Sequence, residues 1–220
     1  MFRDRIDAGR ALGIALMRFK SSSPVVLGLP RGGIPVAAEV AHALAAPLDI
    51  VVVRKLGLPG HDEYAMGALG EGDVRIVDWG VVAAAGLSAQ QVARVIERER
   101  SELCRRAAKF RPLRPRVDLN GRTVIVVDDG IATGSTVTAA ISVVRDLGAR
   151  QVVAATPVAP EDTVRRLNRV ADQVVVLEMP SPFYAVGEGY LDFPQTTDEE
   201  VAAILIRERQ TEDEALRPSA

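Results

Sequence analysis

The sequence predicts an α/β fold, a mostly parallel, twisted sheet with helices on both faces. Short, continuously apolar runs such as residues 25–29 and 124–127 are typical of parallel strands that are buried on both sides. From residue 123 to residue 177 such runs alternate strictly with helical patterns, which is the order of βαβ units. The chain has 220 residues, 48% of them hydrophobic and 25% charged, which suits a domain with a sizeable core.

The first half of the chain shows helix and strand patterns in turn. Asp4 or Asp7 can cap a first helix whose apolar residues recur on one face. Six glycines or prolines around a mixed-charge centre indicate a long loop over residues 55–72. The predicted order is a helix over 4–19, a strand over 25–29, a helix over 35–45, a strand over 48–53, the long loop, a strand over 74–77 and a short turn or helix over 79–85.

The second half of the chain begins with a long helix. Ser88 opens the sequence Ser-Ala-Gln-Gln, which is a capping signal for a helix that continues to about Lys109. A Pro/Arg-rich connection then leads into the alternating region and a polar end, which we expect to be loose. The predicted order is a strand over 123–128, a helix over 135–147, a strand over 151–156, a helix over 160–169, a strand over 173–177, an irregular, aromatic-rich segment over 178–195, a last helix over 197–209 and a tail over 210–220. We expect the whole chain, 1–220, to form a single domain.

Composition argues against several classes of function. The net charge of -2 and the pI of about 5.8 give no global signal for nucleic acid or membrane binding. The single cysteine, Cys104, excludes an intrachain disulfide, and one cysteine with two histidines excludes a His/Cys metal cluster. No apolar run reaches the roughly 18 residues of a transmembrane helix, and the N-terminus lacks the apolar stretch of a signal peptide. We therefore expect a cytoplasmic protein that does not bind membranes, and we do not favour a nucleic-acid partner.

Residues 124–136 carry the most informative pattern, Val-Ile-Val-Val-Asp-Asp-Gly-Ile-Ala-Thr-Gly-Ser-Thr. Four apolar residues form a strand, Asp128 and Asp129 end it, and a loop of small and hydroxyl residues leads into a helix that begins near Ser135. Backbone N–H groups at the start of a helix bind phosphate well, and the adjacent carboxylates can hold hydroxyls or a metal-bound sugar. The P-loop and the glycine-rich dinucleotide-binding turn are absent from the sequence.

This stretch resembles the phosphoribosyl pyrophosphate (PRPP) signature of the type I phosphoribosyltransferases. The resemblance implies that Asp128 and Asp129 hold the 2- and 3-hydroxyls of ribose, act in catalysis and bind Mg²⁺ as the cofactor. It also implies that the loop grips the ribose 5-phosphate with Gly130, Ile131, Ala132, Thr133, Gly134, Ser135 and Thr136. Many relatives in this family are dimers, so a homodimer is compatible with the resemblance.

Two further segments resemble pyrophosphate-binding parts of the same family. The segment 29–33, Leu-Pro-Arg-Gly-Gly, is similar to the pyrophosphate loop of xanthine-guanine phosphoribosyltransferases, and its glycines let backbone N–H groups approach an anion. The segment 53–59 resembles a pyrophosphate-contacting segment of adenine phosphoribosyltransferases, although it lacks the lysine before Leu-Pro. Because ligands collect at the carboxyl ends of parallel strands, we expect these segments and the acidic pair to face one crevice. The residues implied for pyrophosphate are Arg31, Gly32, Gly33 and Arg54, with Lys55 as a catalytic residue.

Residues 178–195, which we call the hood, contain an aromatic pair, then Val-Gly at 186–187 and Leu-Asp at 191–192. In this order they look like the base-covering hood of hypoxanthine-guanine phosphoribosyltransferases, with one residue inserted on each side of Val-Gly. That resemblance implies that Phe183 or Tyr184 stacks on a flat acceptor and that Asp192 lies near the metal and the pyrophosphate. The alternative is that these aromatic residues close the core beneath a loop. Two departures argue against the usual 6-oxopurine specificity. Ala132 stands where those enzymes carry an acid, and no lysine precedes the hood to read a purine oxygen.

The segment over 94–116 is rich in arginine and permits two interpretations. A basic stripe could bind RNA, as in the phosphoribosyltransferase-like attenuators of pyrimidine operons. The alternative, which we favour because acids are interleaved, is a solvated helix with Arg98–Glu102 and Glu102–Arg106 pairs at i,i+4 spacing.

Together, the resemblances imply an enzyme that uses PRPP and Mg²⁺ to transfer the 5-phosphoribosyl group to a nitrogen nucleophile, a small aromatic acceptor such as a nucleobase, with release of pyrophosphate. In this family the segment corresponding to 57–71 is a mobile flap that keeps water away from PRPP. A second hypothesis is a PRPP- or nucleotide-sensing regulatory protein with the same fold, which binds RNA through the basic stripe. A third is transfer or hydrolysis of a different phosphorylated sugar.

Overall fold

Strands and helices alternate along the chain, as the apolar runs predict. The structure is a computed structural model that describes residues 1–215, without the side chains of residues 62, 63, 212, 213 and 215. The strands are β1 (Val25–Gly28), β2 (Leu48–Ile50), β3 (Val53–Leu58), β4 (His61–Gly70), β5 (Arg75–Val77), β6 (Thr123–Val127), β7 (Gln151–Val158) and β8 (Gln173–Glu178). The helices are α1 (Arg5–Leu16), α2 (Gly33–Leu44), α3 (Trp79–Ala84), α4 (Ala89–Phe110), α5 (Ser135–Asp146), α6 (Glu161–Leu167) and α7 (Asp198–Ala215), with short 3-10 helices at Met17–Ser22 and Val186–Gly189.

A parallel sheet forms the centre of the molecule. Over residues 1–215 this sheet has five strands in the order β2-β1-β6-β7-β8, and every neighbouring pair is parallel. β1 lies between β2 and β6, so that Leu27 is level with Asp49 on one side and with Val126 on the other. All five carboxyl ends therefore lie along one edge of the sheet, where the loops after β1 and β6 meet.

Helices cover both faces of this sheet, which confirms the predicted fold class. Alternate strand residues point to opposite faces, because side chains alternate along a strand. Val26 and Ile125 pack with α1, α2 and α7 on one face, whereas Val25 and Val124 pack with α5 on the other. This two-sided burial explains why the strands are apolar throughout rather than alternating.

The predicted long loop over 55–72 is wrong, because these residues form most of a second, antiparallel sheet of β3, β4 and β5. The glycines and prolines that suggested a loop have two other uses. Gly60, with φ of +79°, makes the tight turn between β3 and β4. Gly67 lies inside β4, where a Cβ would collide with the carbonyl oxygen of Ile76 on β5. The segment we expected as a flap is therefore a β-hairpin.

The ends of the helices agree with the sequence in most places. At the start of α4, Ser88 and Gln91 form the predicted capping box. α7 continues to Ala215 rather than ending near 209, so residues 210–215 of the expected loose tail are helical. The rest of that tail, 216–220, lies outside the described residues. The single-domain organisation stays a prediction from the sequence.

None of the helices within residues 1–215 combines the length and the apolar character that crossing a bilayer requires.

Candidate functional site

Asp128 and Asp129 lie at the carboxyl end of β6, in the middle of the sheet edge. The backbone N–H of Asp128 donates to the carbonyl oxygen of Ala155, and the N–H of Asp129 donates to Asp128 Oδ1 at 3.0 Å. Both residues are thus fixed by the end of the parallel ladder rather than by a flexible loop. The strand places two neighbouring carboxylates where ligands of α/β sheets bind.

The electrostatics of this acidic pair are unfavourable for two negative charges. Burial raises the pKa of Asp128 well above its usual value, and the neighbouring charge of Asp129 raises it further. Burial also raises the pKa of Asp129, although the hydrogen bond from Arg5 opposes this effect. Such a pair favours binding of a proton, a cation or hydroxyl donors, and groups of this kind are concentrated at functional sites.

Arg5 of α1 is the cation that touches this pair. Its Nε lies 2.8 Å from Asp129 Oδ2, and both side chains are largely buried, with exposed fractions of 11% and 14%. Its Nη1 donates to the carbonyl oxygen of Pro194, and its guanidinium lies 3.8 Å from the ring centroid of Phe193. Tyr190 donates its hydroxyl hydrogen to the carbonyl oxygen of Asp129. Two hood residues thus connect to the acidic pair: Tyr190 contacts it directly, and Phe193 contacts it through Arg5.

The glycine loop after β1 lies directly against the acidic pair, as expected from the sheet edge. A Cβ on Gly32 would collide with Asp129 Oδ2, and a Cβ on Gly33 would lie 2.7 Å from the carbonyl oxygen of Val127. Only glycine permits this close approach of two loop backbones. Arg31 lines a cavity together with Asp129, and its Nη1 lies 3.9 Å from Asp198 Oδ1 of α7. The peptide bond between Pro30 and Arg31 is cis.

The loop after the acidic pair turns into α5 in the way the sequence predicts. Gly134, with φ of +75°, precedes the first helical residue, Ser135. The hydroxyls of Thr133 and Ser135 lie 3.2 Å apart, and the N–H of Ser135 points to Thr133 Oγ1 at 3.5 Å. Thr163 of α6 supports the loop from below by donating to the carbonyl oxygen of Ala132 at 2.6 Å. The loop therefore presents hydroxyls and a helix N-terminus on a fixed base.

Among the described residues, three cavities lie at this edge, and one of them, of about 410 Å³, is lined by Thr133, Gly134 and Ser135. The cavity beside Asp128, which we call the larger cavity, has a volume of about 480 Å³. Asp128 and Thr136 line one wall, together with Pro30 of the glycine loop. The other walls come from β3 and α4, and the charged residues there are Arg54, Lys55, Arg98, Glu99 and Arg106. Negative charge at the acidic pair thus faces a wall that is mostly positive.

Arg54 is held by an acid that the sequence analysis did not single out. Its Nε lies 2.8 Å and its Nη2 2.6 Å from Glu99 Oε2, and Arg98 Nε lies 3.0 Å from the other oxygen of the same carboxylate. Glu99 is buried, with 8% of its surface exposed. Arg54 therefore anchors α4 to β3, and Glu99 compensates much of its charge. Arg54 also lines the cavity, and its role as a pyrophosphate ligand stays a prediction.

The third of these cavities, of about 440 Å³, lies on the other side of Asp129, under the hood. Within the described residues, the hood residues that line it are Val186, Phe193, Pro194 and Gln195, not Phe183 or Tyr184. Tyr184 is 77% exposed, and Phe183 is only partly buried. The expected stacking residues thus lie away from the acidic pair. A later part of the hood lies over the pair instead, because Val186 contacts Gly130 and because the hood forms backbone hydrogen bonds with the N-terminal residues of the chain.

Two carboxylates, rather than three, are available for a metal at this site. The backbone N–H of Asp192 donates to the carbonyl oxygen of Arg3, and its side chain is exposed. In the part of the chain that the structure describes, no group of three or more His, Cys, Asp or Glu side chains is arranged to hold a metal ion. Asp192 thus does not join Asp128 and Asp129 in one ligand set. Two hard carboxylates still fit Mg²⁺, which commonly takes one or two carboxylates together with substrate phosphates.

The basic residues over 94–116 do not form one exposed stripe. Arg114 is buried, Arg111 turns inward to Asp49 and Glu71, and Lys109 pairs with Asp198. The predicted Glu102–Arg106 pair is confirmed at 2.7 Å, whereas Arg98 contacts Glu99. Hydrogen bonds from Arg105 and Arg106 lower the pKa of Glu102 to about 2. This arrangement favours the interpretation as a salt-bridged helix over an RNA-binding stripe.

Sequence reasoning missed several residues of the site, and only some of them had a signal. Phe193 follows the Leu-Asp pair by which the hood was recognised, so its place near the acidic pair could have been inferred. Arg5 lies 124 positions from its partner Asp129 and carries no local motif. Glu99 looks in sequence like any other acid of a solvated helix.

Comparisons with known proteins identify the family to which the chain belongs. The family model described as "Phosphoribosyl transferase domain" matches residues 5–192. The chain is 51% identical over 207 residues to a Mycobacterium tuberculosis protein provisionally named as a phosphoribosyl transferase, an alignment that covers 94% of this chain and 47% of that protein. The chain thus spans about half the length of this curated relative.

Two further matches extend this result. A ribose-phosphate pyrophosphokinase of Pyrococcus abyssi is 32% identical over 118 residues, which cover 51% of this chain and 40% of that protein. The crystal structure of the protein TT1426 from Thermus thermophilus is 47% identical in sequence and superimposes with a TM-score of 0.88, covering 94% of this chain and 98% of that one.

Proposed function

Because the chain belongs to the phosphoribosyl transferase domain family, we propose that it uses PRPP with Mg²⁺ and transfers the 5-phosphoribosyl group to a nitrogen nucleophile, a nucleobase or a similar aromatic ring, with release of pyrophosphate. The observation that carries this proposal is the desolvated acidic pair between a glycine loop and a helix N-terminus. Each of the three parts suits one part of PRPP: the ribose hydroxyls, the pyrophosphate and the 5-phosphate.

The acidic pair supplies the main electrostatic contribution to the reaction. Asp128 and Asp129 accept hydrogen bonds from the ribose hydroxyls and stabilise the positive charge that develops at C1 as its bond to pyrophosphate breaks. Burial raises the pKa of both carboxyls, and the charge of Asp129 raises that of Asp128 further, so the positive charge at C1 relieves an existing cost in free energy. Arg5 holds Asp129 through one oxygen and leaves its other oxygen for the ligand.

The loops on either side fix the two phosphate groups. N–H groups and hydroxyls at Thr133–Thr136, at the start of α5, suit the 5-phosphate. The backbone of the glycine loop, with Lys55 across the larger cavity, suits the leaving pyrophosphate. When bound, Mg²⁺ supplies charge neutralisation for the pyrophosphate oxygens. Positioning and fixed charges therefore account for most of the catalysis that these residues provide.

The larger cavity and the cavity under the hood give the leaving group and the acceptor different surroundings. The larger cavity is lined by cations from β3 and α4, whereas Val186 and Phe193 line the cavity under the hood together with Arg5, Arg31 and Asp129. The ring of Phe193 also contacts Tyr190, at 4.7 Å between ring centroids, and Arg5. An acceptor ring beside Asp129 is therefore expected to meet Val186 and Phe193.

The test is steady formation of pyrophosphate from PRPP and Mg²⁺ with a panel of acceptors: adenine, hypoxanthine, guanine, xanthine, uracil, orotate and nicotinate. We expect one favoured acceptor, and we expect the double variant Asp128→Asn, Asp129→Asn to lose at least about 10³-fold in turnover, since each preorganised charged or polar contact contributes roughly 10²–10³-fold. Unchanged turnover in the double variant would contradict the proposal. Thermal stabilisation by PRPP without turnover of any acceptor would favour the sensor hypothesis instead.

A further inference from the structure

A row of arginines on α4 faces the larger cavity and belongs to none of the segments that resemble the family. We propose that Arg98 and Arg106 bind the pyrophosphate group of PRPP, so that α4 forms the outer wall of the leaving-group site. This inference rests on the proposed function and deepens it, because it assigns that site to a helix as well as to the glycine loop.

The shape of the cavity is the first argument. Three segments that are distant in sequence line it: the glycine loop and acidic pair, β3, and α4. Pro30 and Asp128 lie on the wall that belongs to the reaction site, and Arg98 and Arg106 lie on the wall formed by α4. Its volume of about 480 Å³ lies within the roughly 300–1,000 Å³ of small-molecule sites.

The unused donors of the arginines are the second argument. In the described part of the chain, Arg106 bonds to Glu102 through Nε, and Arg98 bonds to Glu99 through Nε. Each guanidinium therefore keeps its two terminal amino groups for another acceptor. A guanidinium held at one end is well suited to bind phosphate oxygens with the other, because its planar fork matches their geometry.

Arg105, the neighbour of Arg106, provides a contrast. It binds the same carboxylate, but through both Nε and Nη2 at 2.8 Å each, and it does not line the cavity. Both arginines thus share a helix, a partner and a charge. They differ in whether the guanidinium has donors facing the cavity, so Arg105 is a matched control for Arg106.

The position of the cations favours pyrophosphate over the acceptor. The cavity that contains Arg98 and Arg106 also contains Lys55 and Pro30, and within the described residues no hood residue lines it. Val186 and Phe193 of the hood line the cavity under the hood, together with Arg5, Arg31 and Gly32. Thr136, at the end of the 5-phosphate loop, also lines the cavity of Arg98 and Arg106. A diphosphate leaving group carries several negative charges, which matches a wall on which arginine and lysine outnumber acids.

The experiment is titration calorimetry of two separate probes, inorganic pyrophosphate with Mg²⁺ and ribose 5-phosphate. We compare the unmodified protein with Arg106→Gln, Arg98→Gln and the control Arg105→Gln. We expect Arg106→Gln to weaken pyrophosphate binding by about 10- to 100-fold, as expected for lost hydrogen bonds to a charged group. We expect ribose 5-phosphate affinity to stay unchanged and Arg105→Gln to stay within about twofold for both probes, because a surface charge acts weakly at a distance.

The outcomes separate the inference from the proposed function. Equal losses in Arg105→Gln and Arg106→Gln would mean a general charge effect and would overturn the inference, as would no loss in Arg106→Gln. If Arg106→Gln does not fold, as judged by its thermal melt, Arg98→Gln decides by the same criteria. If the unmodified protein binds neither probe, the proposed function itself fails. A loss of ribose 5-phosphate affinity in Arg106→Gln would assign the arginine to the wrong phosphate and would also overturn the inference.

Discussion

Two buried clusters in this molecule contain the same charges, two carboxylates and one arginine, but arrange them differently. In the first, Arg111 lies between Asp49 and Glu71, with its nitrogens 2.6–2.7 Å from their oxygens. In the second, Arg5 contacts Asp129 alone, and Asp128 is left facing the larger cavity. Among the described residues, no lysine or arginine is hydrogen-bonded to Asp128.

The position of the arginine therefore decides what each cluster does. Arg111 also donates to the carbonyl oxygens of Ile50 and Arg114, and Asp49 accepts from the N–H of Val117, so the charges of the first cluster are satisfied within the protein. Burial raises the pKa of Asp49, but Arg111 opposes the shift. At Asp128 burial and the adjacent Asp129 act in the same direction. The first cluster joins parts of the fold through satisfied charges. The second retains an unfavourable electrostatic free energy, which a bound ligand relieves.

The largest expected effect on stability comes from breaking the satisfied cluster. Arg111→Met keeps most of the side-chain length but leaves Asp49 and Glu71 buried without their cation. We expect the free energy of unfolding to fall by about 3–5 kcal/mol, as for other buried pairs that lose one partner. Urea unfolding measures it.

The control for Arg111→Met is Arg165→Met, which removes an arginine from exposed pairs with Glu161 and Asp162. We expect no measurable loss there, since exposed pairs contribute little. A loss below about 1 kcal/mol in Arg111→Met would mean that the first cluster contributes no more to stability than a surface pair. That result would contradict the difference between the two clusters.

Local patterns in the sequence predicted the parts of the molecule that depend on neighbouring residues. The apolar strands, the capping box at Ser88 and the loop that leads into α5 all follow from short-range chemistry. The hairpin of β3 and β4 was missed because glycine has the same signature in a loop, in a tight turn and in a strand under close contact. Only the position of Gly67 against β5 distinguishes these cases, and that contact is a tertiary one.

The two charge clusters show that sequence patterns also miss tertiary contacts at the site. Asp128, Asp129 and the glycine loop were found because each lies at the end of a strand, where the topology brings them together. The cations were not found, because Arg5 comes from α1 and Arg111 from the end of α4, with partners 124 and 62 positions away. A sequence with 27 basic residues offers no local way to select those two.

A smaller effect is expected from the arginine of the second cluster. Arg5→Met removes a charged hydrogen bond to Asp129, one to Pro194 and the contact with Phe193. We expect a loss of about 1.5–3 kcal/mol, the usual range for a hydrogen bond to a charged group. The loss is smaller than for Arg111 because Asp129 keeps some contact with solvent. Thermal and urea unfolding measure it.

The pH dependence of Arg5→Met sharpens the comparison. Without Arg5, the pKa of Asp129 rises further above its unfolded value, so its charged form destabilises the fold above that pKa and the cost disappears as the carboxyl gains a proton. The loss should therefore be smaller at pH 5 than at pH 8. Arg5→Lys, which keeps the charge, should recover part of it. Equal losses at both pH values would show that Arg5 acts by packing on Phe193 rather than by charge.

The smallest expected effect is a gain in stability from a substitution that damages the site. Asp128→Asn removes a desolvated charge but keeps Oδ1 as the acceptor for the N–H of Asp129. Because the folded pKa of Asp128 lies above its unfolded value, the charged form costs stability at neutral pH. We expect a gain of about 1 kcal/mol, or a melting temperature higher by roughly 2–4 °C.

The dependence of this gain in stability on pH and on ligand shows its cause. It distinguishes the removal of an unfavourable charge at Asp128 from a general effect of introducing asparagine. As pH falls through the raised folded pKa, the carboxyl of the unmodified protein is neutralised and the gain should vanish. Asp118→Asn is the matched control, because Asp118 also accepts a local backbone N–H, that of Asn120 at 3.0 Å, but is exposed. It should melt like the unmodified protein at every pH.

With PRPP and Mg²⁺ present, the unmodified protein should melt at a higher temperature than Asp128→Asn, since ligand binding stabilises only the protein that keeps Asp128. A variant that is less stable than the unmodified protein at pH 8 without ligand would mean that Asp128 is satisfied in the way Asp49 is, and that the two clusters do not differ in kind.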